Sequence, residues 1–349
     1  MAAAIVTLIL LAIFKNAIIA DVMNLDYVWR LCIGLGAVPA VGTIYLRFTM
    51  PESPRYSLNV EHDVEAAAVA KGQTVSTDLA KQYTKVEEKR DHWAEFRAYF
   101  SQWKHFKVLL GTSLSWFLLD VAFYGLGLNN SAILSAIGYA NKPTPFETLW
   151  ANTVGQIIIT CLGSVPGYYI TVFTIEKLGR RTIQLMGFAV TTVLFAILAG
   201  CYDILIEKSM PAFIFLFTLA QLFQNFGANS TTFIIPGEVF PTKVRASAHG
   251  ISAASGKAGA ILASFAFNAL VDIGGPQGAH AFLPEVLAIF AGVMFLGFVV
   301  TWLWIPESKG RDLDEFEEDY VQPTIHLSNS AEGSMTNESV FPEQQELKA

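Results

Sequence analysis

The stretch WFLLDVAFYGLGLNNS, residues 116–131, is apolar along most of its length and yet carries a carboxylate at Asp120. Leu110, Leu114, Phe117, Leu118, Val121 and Phe123 surround that acid with enough hydrocarbon for the segment to sit in lipid. If it does, the chain is a membrane bundle, and the acid needs a reason to be there.

The rest of the chain has the same character. Of its 349 residues 53% are hydrophobic and 15% charged, against about 25% charged in an ordinary soluble domain. A bilayer crossing needs ~20 apolar residues. Such windows recur at residues 1–19, 28–48, 106–128, 149–175, 183–202, 211–235, 247–271 and 284–305, eight candidate spans. The expected fold class is an all-α membrane protein, a helical bundle. The first window lacks the basic leader of a signal peptide and is kept as a span.

The net charge of −7 hides a segregation. Eight Lys/Arg fall between Arg55 and Lys104, three between Lys177 and Arg181, two at Lys243 and Arg245, two at Lys309 and Arg311. The alternate loops hold isolated cations such as Lys15, Lys142 and Lys208. The positive-inside rule places the basic loops in the cytosol, and both termini with them. Cys32, Cys161 and Cys201 lie in apolar windows without disulfide or metal spacing, and the six histidines are scattered. No GxSxG elbow, HExxH or P-loop occurs, so neither a metal site nor an enzyme is expected.

Two phrases repeat: PESPRY at 51–56 and PESKGR at 306–311, each where a span exits on the basic side. Many transporters are built from two six-helix halves. If the phrases mark equivalent points, residues 106–311 form one complete six-helix half, and residues 1–56 hold the last two helices of the other. Four helices would then precede residue 1. Residues 57–105 form a cytosolic connection between the halves. Within it KQYTKVEEKRDHWAEFRAYFSQWKHF (81–106) reads as a helix, with Trp93, Phe96, Phe100 and Trp103 at i, i+3, i+7, i+10 on one face. That helix either lies on the membrane surface or packs on the body of the protein. Residues 312–349 begin acidic, lose apolar periodicity and read as a disordered cytosolic tail.

Polar residues inside the spans point to chemistry. Trp116, Asp120 and Tyr124 fall within an arc of ~80° on one helix face. Trp116 and Asp120 lie about 15–21 Å from the basic end of their span at 1.5 Å per residue, too deep for an interfacial tryptophan. A carboxylate at that depth costs ~2.5–3.5 kcal/mol on insertion scales and faces a cavity or a partner. Two readings fit Asp120: a working group in a cavity, or a structural acid capped by neighbouring hydroxyls. Lys257, within SAASGKAGA (252–260), stands about 16 Å into its span. The small residues around it favour close helix packing, and its ammonium needs a counter-charge, for which Asp120 is the candidate. Asn229, within FGANSTTF (226–233), is either an anion contact or interhelical glue. It also opens a glycosylation sequon, as does Asn129; only the second lies near the outer face.

Four of these five side chains donate hydrogen bonds, which suits an oxygen-rich anion. An ionised Asp120 repels an anion and pairs with Lys257. A protonated Asp120 becomes a donor and frees the lysine. Anion and proton then favour each other's binding, which is thermodynamic coupling between two ligands and a physical design for symport.

The phrases PESPRY, EKLGRR (176–181), PGEVFPTKVRA (236–246) and PESKGR resemble loop signatures of the major facilitator superfamily. The pair SWFLLDVAFYGLGLNNS and NFGANSTTFIIPGEVFPT is similar to its fungal proton-coupled phosphate symporters, with residues 1 to about 312 as helices five to twelve of twelve. The resemblance implies secondary transport of inorganic phosphate with a proton by alternating access, in a multi-pass plasma-membrane protein. It implies no cofactor, no nucleic-acid partner and no enzymatic activity. Trp116, Asp120, Tyr124, Asn229 and Lys257 match its phosphate-site residues, and Asp120 also its proton-coupling position. The family's site residues on helices one and four have no counterpart in this chain, and Gln156 stands on a different span from the family's helix-five glutamine, so the chain reads as a fragment lacking half the pocket. The resemblance further implies gating by Glu176, Gly179, Arg180 and Arg181 through salt bridges between the two halves that lock the inward gate, joined by Glu238 and Arg245, although the same cluster reads as a plain topogenic signal. A sugar or organic-acid symporter, and a nutrient sensor that binds without transporting, are the alternatives.

Overall fold

The structure is a computed structural model that describes residues 1–50, 92–276 and 280–310. PESPRY, residues 81–91 of the expected connecting helix and the acidic tail beyond residue 311 lie outside these residues. Among the described residues every regular element is helical. In chain order they are α1 (Ala2–Ile13), α2 (Lys15–Ala20), α3 (Leu25–Thr49), α4 (His92–Phe100), α5 (Trp103–Gly127), α6 (Asn130–Ala136) and α7 (Pro145–Ile159). There follow α8 (Val165–Leu178), α9 (Arg180–Gly200), α10 (Tyr202–Lys208), α11 (Met210–Asn225), α12 (Ala228–Glu238), α13 (Thr242–Leu270) and α14 (Leu283–Trp304).

Seven helical stretches among the described residues are long and apolar enough to cross a membrane, one fewer than the eight expected. The first expected span is interrupted at Phe14, which separates α1 from α2. Alone, α1 has 12 residues, about 18 Å at 1.5 Å per residue, short of the ~30 Å hydrocarbon core. Lys15 marks the break, its ammonium 5.9 Å from the Phe146 ring. The other seven windows match to within a few residues. Two of these spans are not regular throughout. A π-helical turn at Thr160–Ser164 joins α7 to α8, and a break at Phe226–Gly227 divides α11 from α12. Irregular backbone at membrane depth is tolerated where protein or a cavity covers it, so both breaks point inward.

The connecting helix also differs from expectation. It ends at Phe100, and Trp103 opens α5 instead of completing its aromatic face. Phe100 packs edge-on to Phe240 at 5.8 Å, and Tyr99 stacks on His105 at 4.1 Å. Trp93 and Trp103 stay exposed. The expected four-ring face is therefore divided between the protein body and the outside.

The main core is held by α5, α9, α11, α13 and α14, with Phe188, Phe195, Phe213, Phe217, Phe267 and Met294 buried at its centre. A smaller cluster at the Trp103 end of α5 gathers Phe100, Leu109, Phe240, Val244 and Ile305. A third joins α1 to α7 through Leu10, Leu11 and Phe146. By contrast, α3 turns Ile33, Val38, Tyr45 and Phe48 outward. Hydrocarbon on a lipid-facing helix loses no water-driven stability by exposure, because lipid tails are as apolar as the side chains.

Candidate functional site

The α5–α13 contact builds the site, and small residues make it possible. Thr112 and Ser252 hydroxyls meet at 2.9 Å across the pair. One turn further, a Cβ added at Gly256 would strike the Trp116 indole and come within 2.9 Å of the Asp120 carboxylate. Gly259 lies as closely against the Phe117 carbonyl. The stripe Ser252, Gly256, Gly259 therefore lets α13 approach α5 to the depth of a ring, as small residues do in membranes. Lys257, beside that stripe, is brought to the acid by the same approach.

Lys257 Nζ lies 3.5 Å from Asp120 Oδ2 and donates to the Tyr124 hydroxyl at 2.9 Å. It also stands 4.6 Å from the Tyr124 ring centroid, a cation–π distance. The Asp120 side chain is 3% exposed, the Lys257 side chain 59%. The acid is thus sealed in the helix contact while the base stands at the open face. Two unit charges ~4 Å apart attract by about 4 kcal/mol at an effective dielectric of ~20, an upper figure here because the ammonium is open. That is comparable with the ~2.5–3.5 kcal/mol insertion cost of one deep charge. Pairing therefore offsets part of the cost of placing the two charges at depth. The ammonium has three donors, and two are directed at Asp120 and Tyr124, so the third faces the open side.

Trp116 is buried, edge-on to Phe233 of α12 at 6.0 Å and to His249 of α13 at 5.6 Å. His249 also contacts Phe233 at 5.1 Å. Three rings from three helices thereby meet on the Trp103 side of the Asp120–Lys257 pair.

Asn229 belongs to a second polar group, at the first turn of α12. Its amide donates to Asn225 Oδ1 at 2.8 Å and to the Tyr168 hydroxyl of α8 at 2.5 Å. The α11–α12 break makes room for this. Its open Asn225 carbonyl is taken up by Ser230 Oγ at 2.8 Å and Thr171 Oγ1 at 3.2 Å. Tyr168 lies within electrostatic reach of Tyr124. Phe233, one turn beyond Asn229, touches Trp116. So four of the five expected residues sit around one contact, and Asn229 stands on the adjoining wall. Sequence reasoning missed Tyr168, Asn225 and His249. A tyrosine in GYYITV and a histidine in RASAHG look like ordinary span residues until the helices are placed side by side.

At the Trp103 end of the bundle a separate charge cluster holds the expected gating residues. Arg180 Nε bonds Glu238 Oε2 at 3.0 Å, and Arg180 Nη2 bonds Glu176 Oε1 at 2.6 Å. Glu307, from PESKGR, accepts the backbone N–H groups of Arg180 and Arg181 at 2.9 and 3.2 Å. That carboxylate caps α9 where its orphan N–H groups and dipole favour an anion. Gly179 turns the chain there with φ 91°, and any Cβ would collide with Glu307. Ser308 Oγ donates to Glu238 at 2.6 Å, and Arg181 Nη2 to the Trp302 carbonyl at 2.7 Å. Arg245 Nε donates to the Phe240 carbonyl at 2.8 Å. Each of these bonds lies within residues 176–308, so among the described residues the cluster ties one half to itself and does not form the expected salt bridges between halves. Glu307 and Ser308 were seen in the sequence only as part of a repeat; their roles become visible when α14 returns beside α9.

Comparison with known proteins agrees with this architecture. The family described as "Sugar (and other) transporter" matches residues 2–320. The chain is 44% identical over 329 residues to the inorganic phosphate transporter PHO84 of Saccharomyces cerevisiae, covering 87% of this chain and 55% of that one. It is 41% identical to the repressible high-affinity phosphate permease of Neurospora crassa, covering 84% and 54%. Petunia hybrida low affinity inorganic phosphate transporter 3 is 37% identical, with 91% and 63% covered. The chain thus spans little more than half the length of the relatives it matches most strongly. Among solved structures, a double-tryptophan XylE mutant superposes with a TM-score of 0.60 at 22% identity, covering 84% of this chain and 59% of that one. The inward-open xylose transporter XylE of E. coli gives a TM-score of 0.52 at 19% identity, with 89% and 62% covered. At those identities the likeness concerns the fold.

Proposed function

The chain belongs to the sugar (and other) transporter family, of the major facilitator type, and from that premise we propose that it is part of a carrier that moves inorganic phosphate together with a proton by alternating access. It is a multi-pass membrane protein, and the reading places it in the plasma membrane with both termini in the cytosol, as a carrier and not an enzyme. One observation carries the reading: a sealed carboxylate, Asp120, shares its ammonium partner Lys257 with the open face of the site at 3.5 Å.

The chemistry follows from competition for that ammonium. With Asp120 ionised, Lys257 is held by the acid and the Tyr124 hydroxyl. When Asp120 takes a proton it stops attracting Lys257 and becomes a donor, and the ammonium turns its charge to a phosphate. Proton and phosphate therefore strengthen each other's binding, and by linkage the coupling is equal in both directions. Trp116, Tyr124, Lys257 and the Asn229 wall surround the anion. Trp116, Phe233 and His249 meet on one side of the site. The charge cluster of Glu176, Gly179, Arg180, Arg181 and Glu238, with Arg245 beside it, holds α8, α9 and α12 as one body while the site changes the side to which it opens. The phosphate relatives support this choice of anion over a sugar.

The test is uptake of labelled phosphate into proteoliposomes under an inward proton gradient, with glucose and organic acids as competitors. Gradient-dependent phosphate uptake that the competitors leave untouched is the expected result. Uptake blocked by glucose, or indifferent to the gradient, would overturn the reading.

A further inference from the structure

The hydrogen-bond directions on the Asn229 wall are pinned, and they change what that wall offers a guest. Asn225 Nδ2 donates to the Gln221 backbone carbonyl at 2.7 Å. A carbonyl only accepts, so the Asn225 amide has one orientation, with Oδ1 toward Asn229. Asn229 must then direct its NH2 at Asn225 Oδ1, 2.8 Å away, and the same nitrogen reaches the Tyr168 hydroxyl. Both N–H groups of Asn229 are occupied within the protein. Two consequences follow. The Asn229 carbonyl oxygen, which has no donor among the described residues, is the polar atom this residue has left to offer a guest. The Tyr168 hydroxyl, which accepts from Asn229, keeps its own proton, and no acceptor for it is found among the described residues. Tyr168 is 45% exposed and within electrostatic reach of Tyr124. Tyr124 stands in the same position, accepting from Lys257 at 2.9 Å with its own O–H to give. A hydroxyl that accepts a hydrogen bond is polarised into a better donor.

We propose that Tyr168 is a direct oxyanion donor of this site and that Asn229 is an acceptor, so that the wall recognises a tetrahedral anion carrying both a bare oxygen and a hydroxyl. Tyr168 donates to the bare oxygen. Asn229 Oδ1 accepts from the hydroxyl. Phosphate at neutral pH supplies both groups, whereas sulfate has no hydroxyl and leaves Asn229 Oδ1 unanswered. A site built to bond a hydroxyl rejects the analogue that lacks it, because a guest oxygen set against Asn229 Oδ1 displaces its water and returns no hydrogen bond. This assignment rests on the oxyanion reading of the site and deepens it.

The experiment measures binding of labelled phosphate and labelled sulfate to the purified chain in lipid nanodiscs, for the unsubstituted protein, Tyr168→Phe and Asn229→Ala, with thermal midpoints as a folding check. Tyr168→Phe keeps the ring and should weaken both anions about tenfold or more, the size of a hydrogen bond to a charged group. Asn229→Ala should weaken phosphate while sparing sulfate, lowering the phosphate-to-sulfate preference several-fold. A fluorinated, more acidic tyrosine at 168 should bind phosphate more tightly at neutral pH and lose it at a lower alkaline pH, a signature that a structural tyrosine does not produce. Phosphate affinity within twofold of the unsubstituted protein in Tyr168→Phe overturns the donor, and an unchanged anion preference in Asn229→Ala overturns the acceptor. Binding of neither anion by the unsubstituted chain overturns the oxyanion reading itself. Sulfate binding without phosphate, still weakened by Tyr168→Phe, would retain the donor and remove phosphate as the guest.

Discussion

The molecule holds two clusters in which acids meet bases, and they are built in opposite ways. Around Arg180 the carboxylates are multiply bonded: Arg180 engages two of them, Glu307 takes two backbone N–H groups at the start of α9, and Glu238 also receives Ser308. Around Asp120 the acid has one cation at 3.5 Å, and that cation is also shared with Tyr124 and the open face. A multiply bonded cluster resists change. A cluster with donors to spare can be rearranged by a ligand that takes them up. The first suits a rigid body, the second a switch. Both lie where helices pack closely, and they differ in hydrogen-bond count as well as in the burial of the acid.

The sharpest way to break this contrast is Asp120→Asn, which removes the titrating proton while keeping a donor. Phosphate accumulation driven by a proton gradient should fall to background, while phosphate binding persists and loses its dependence on pH through this group. Accumulation equal to that of the unsubstituted protein at each pH would leave the switch without its proton. Next in size, Lys257→Ala removes the shared cation, and equilibrium binding should show phosphate affinity reduced ~10–100-fold, as expected when a charge-assisted bond is lost. On the multiply bonded side, Glu307→Gln should act on stability alone. Loss of the α9 cap costs about 1–2 kcal/mol, read as a lower thermal midpoint, with phosphate affinity unchanged within twofold. A large loss of affinity with an intact midpoint would show that the two clusters are not separate in role. The smallest effect belongs to Glu176→Ala. The Glu176 side chain is 72% exposed and exposed ion pairs contribute little, so neither midpoint nor affinity should move measurably.

Much of the membrane architecture was readable before any coordinates. Seven of eight windows became membrane-length helices, because ~20 apolar residues in lipid have few alternatives to a helix that satisfies its own backbone. The first window failed because hydropathy averages over Lys15 and cannot see a helix stop. The aromatic face through Trp103 failed for a related reason. Periodicity continues across Ser101–Gln102, where the backbone does not. Within the site, Asp120 and Lys257 stood out because a charge in an apolar run is conspicuous in one dimension. Tyr168, Asn225 and Glu307 did not, since each is unremarkable beside its sequence neighbours.

By itself, the sequence determined that this is a membrane bundle with an acid and a base at depth, since cost in lipid depends on residue type and position along one helix. Tertiary structure alone decided that the Ser252–Gly256–Gly259 stripe brings Lys257 to Asp120, and that Gln221 and Asn225 orient Asn229 so that Tyr168 keeps its proton. Contacts between helices far apart in the chain arise from packing, and the direction of a hydrogen bond is set by its neighbour in space; neither leaves a pattern along the chain.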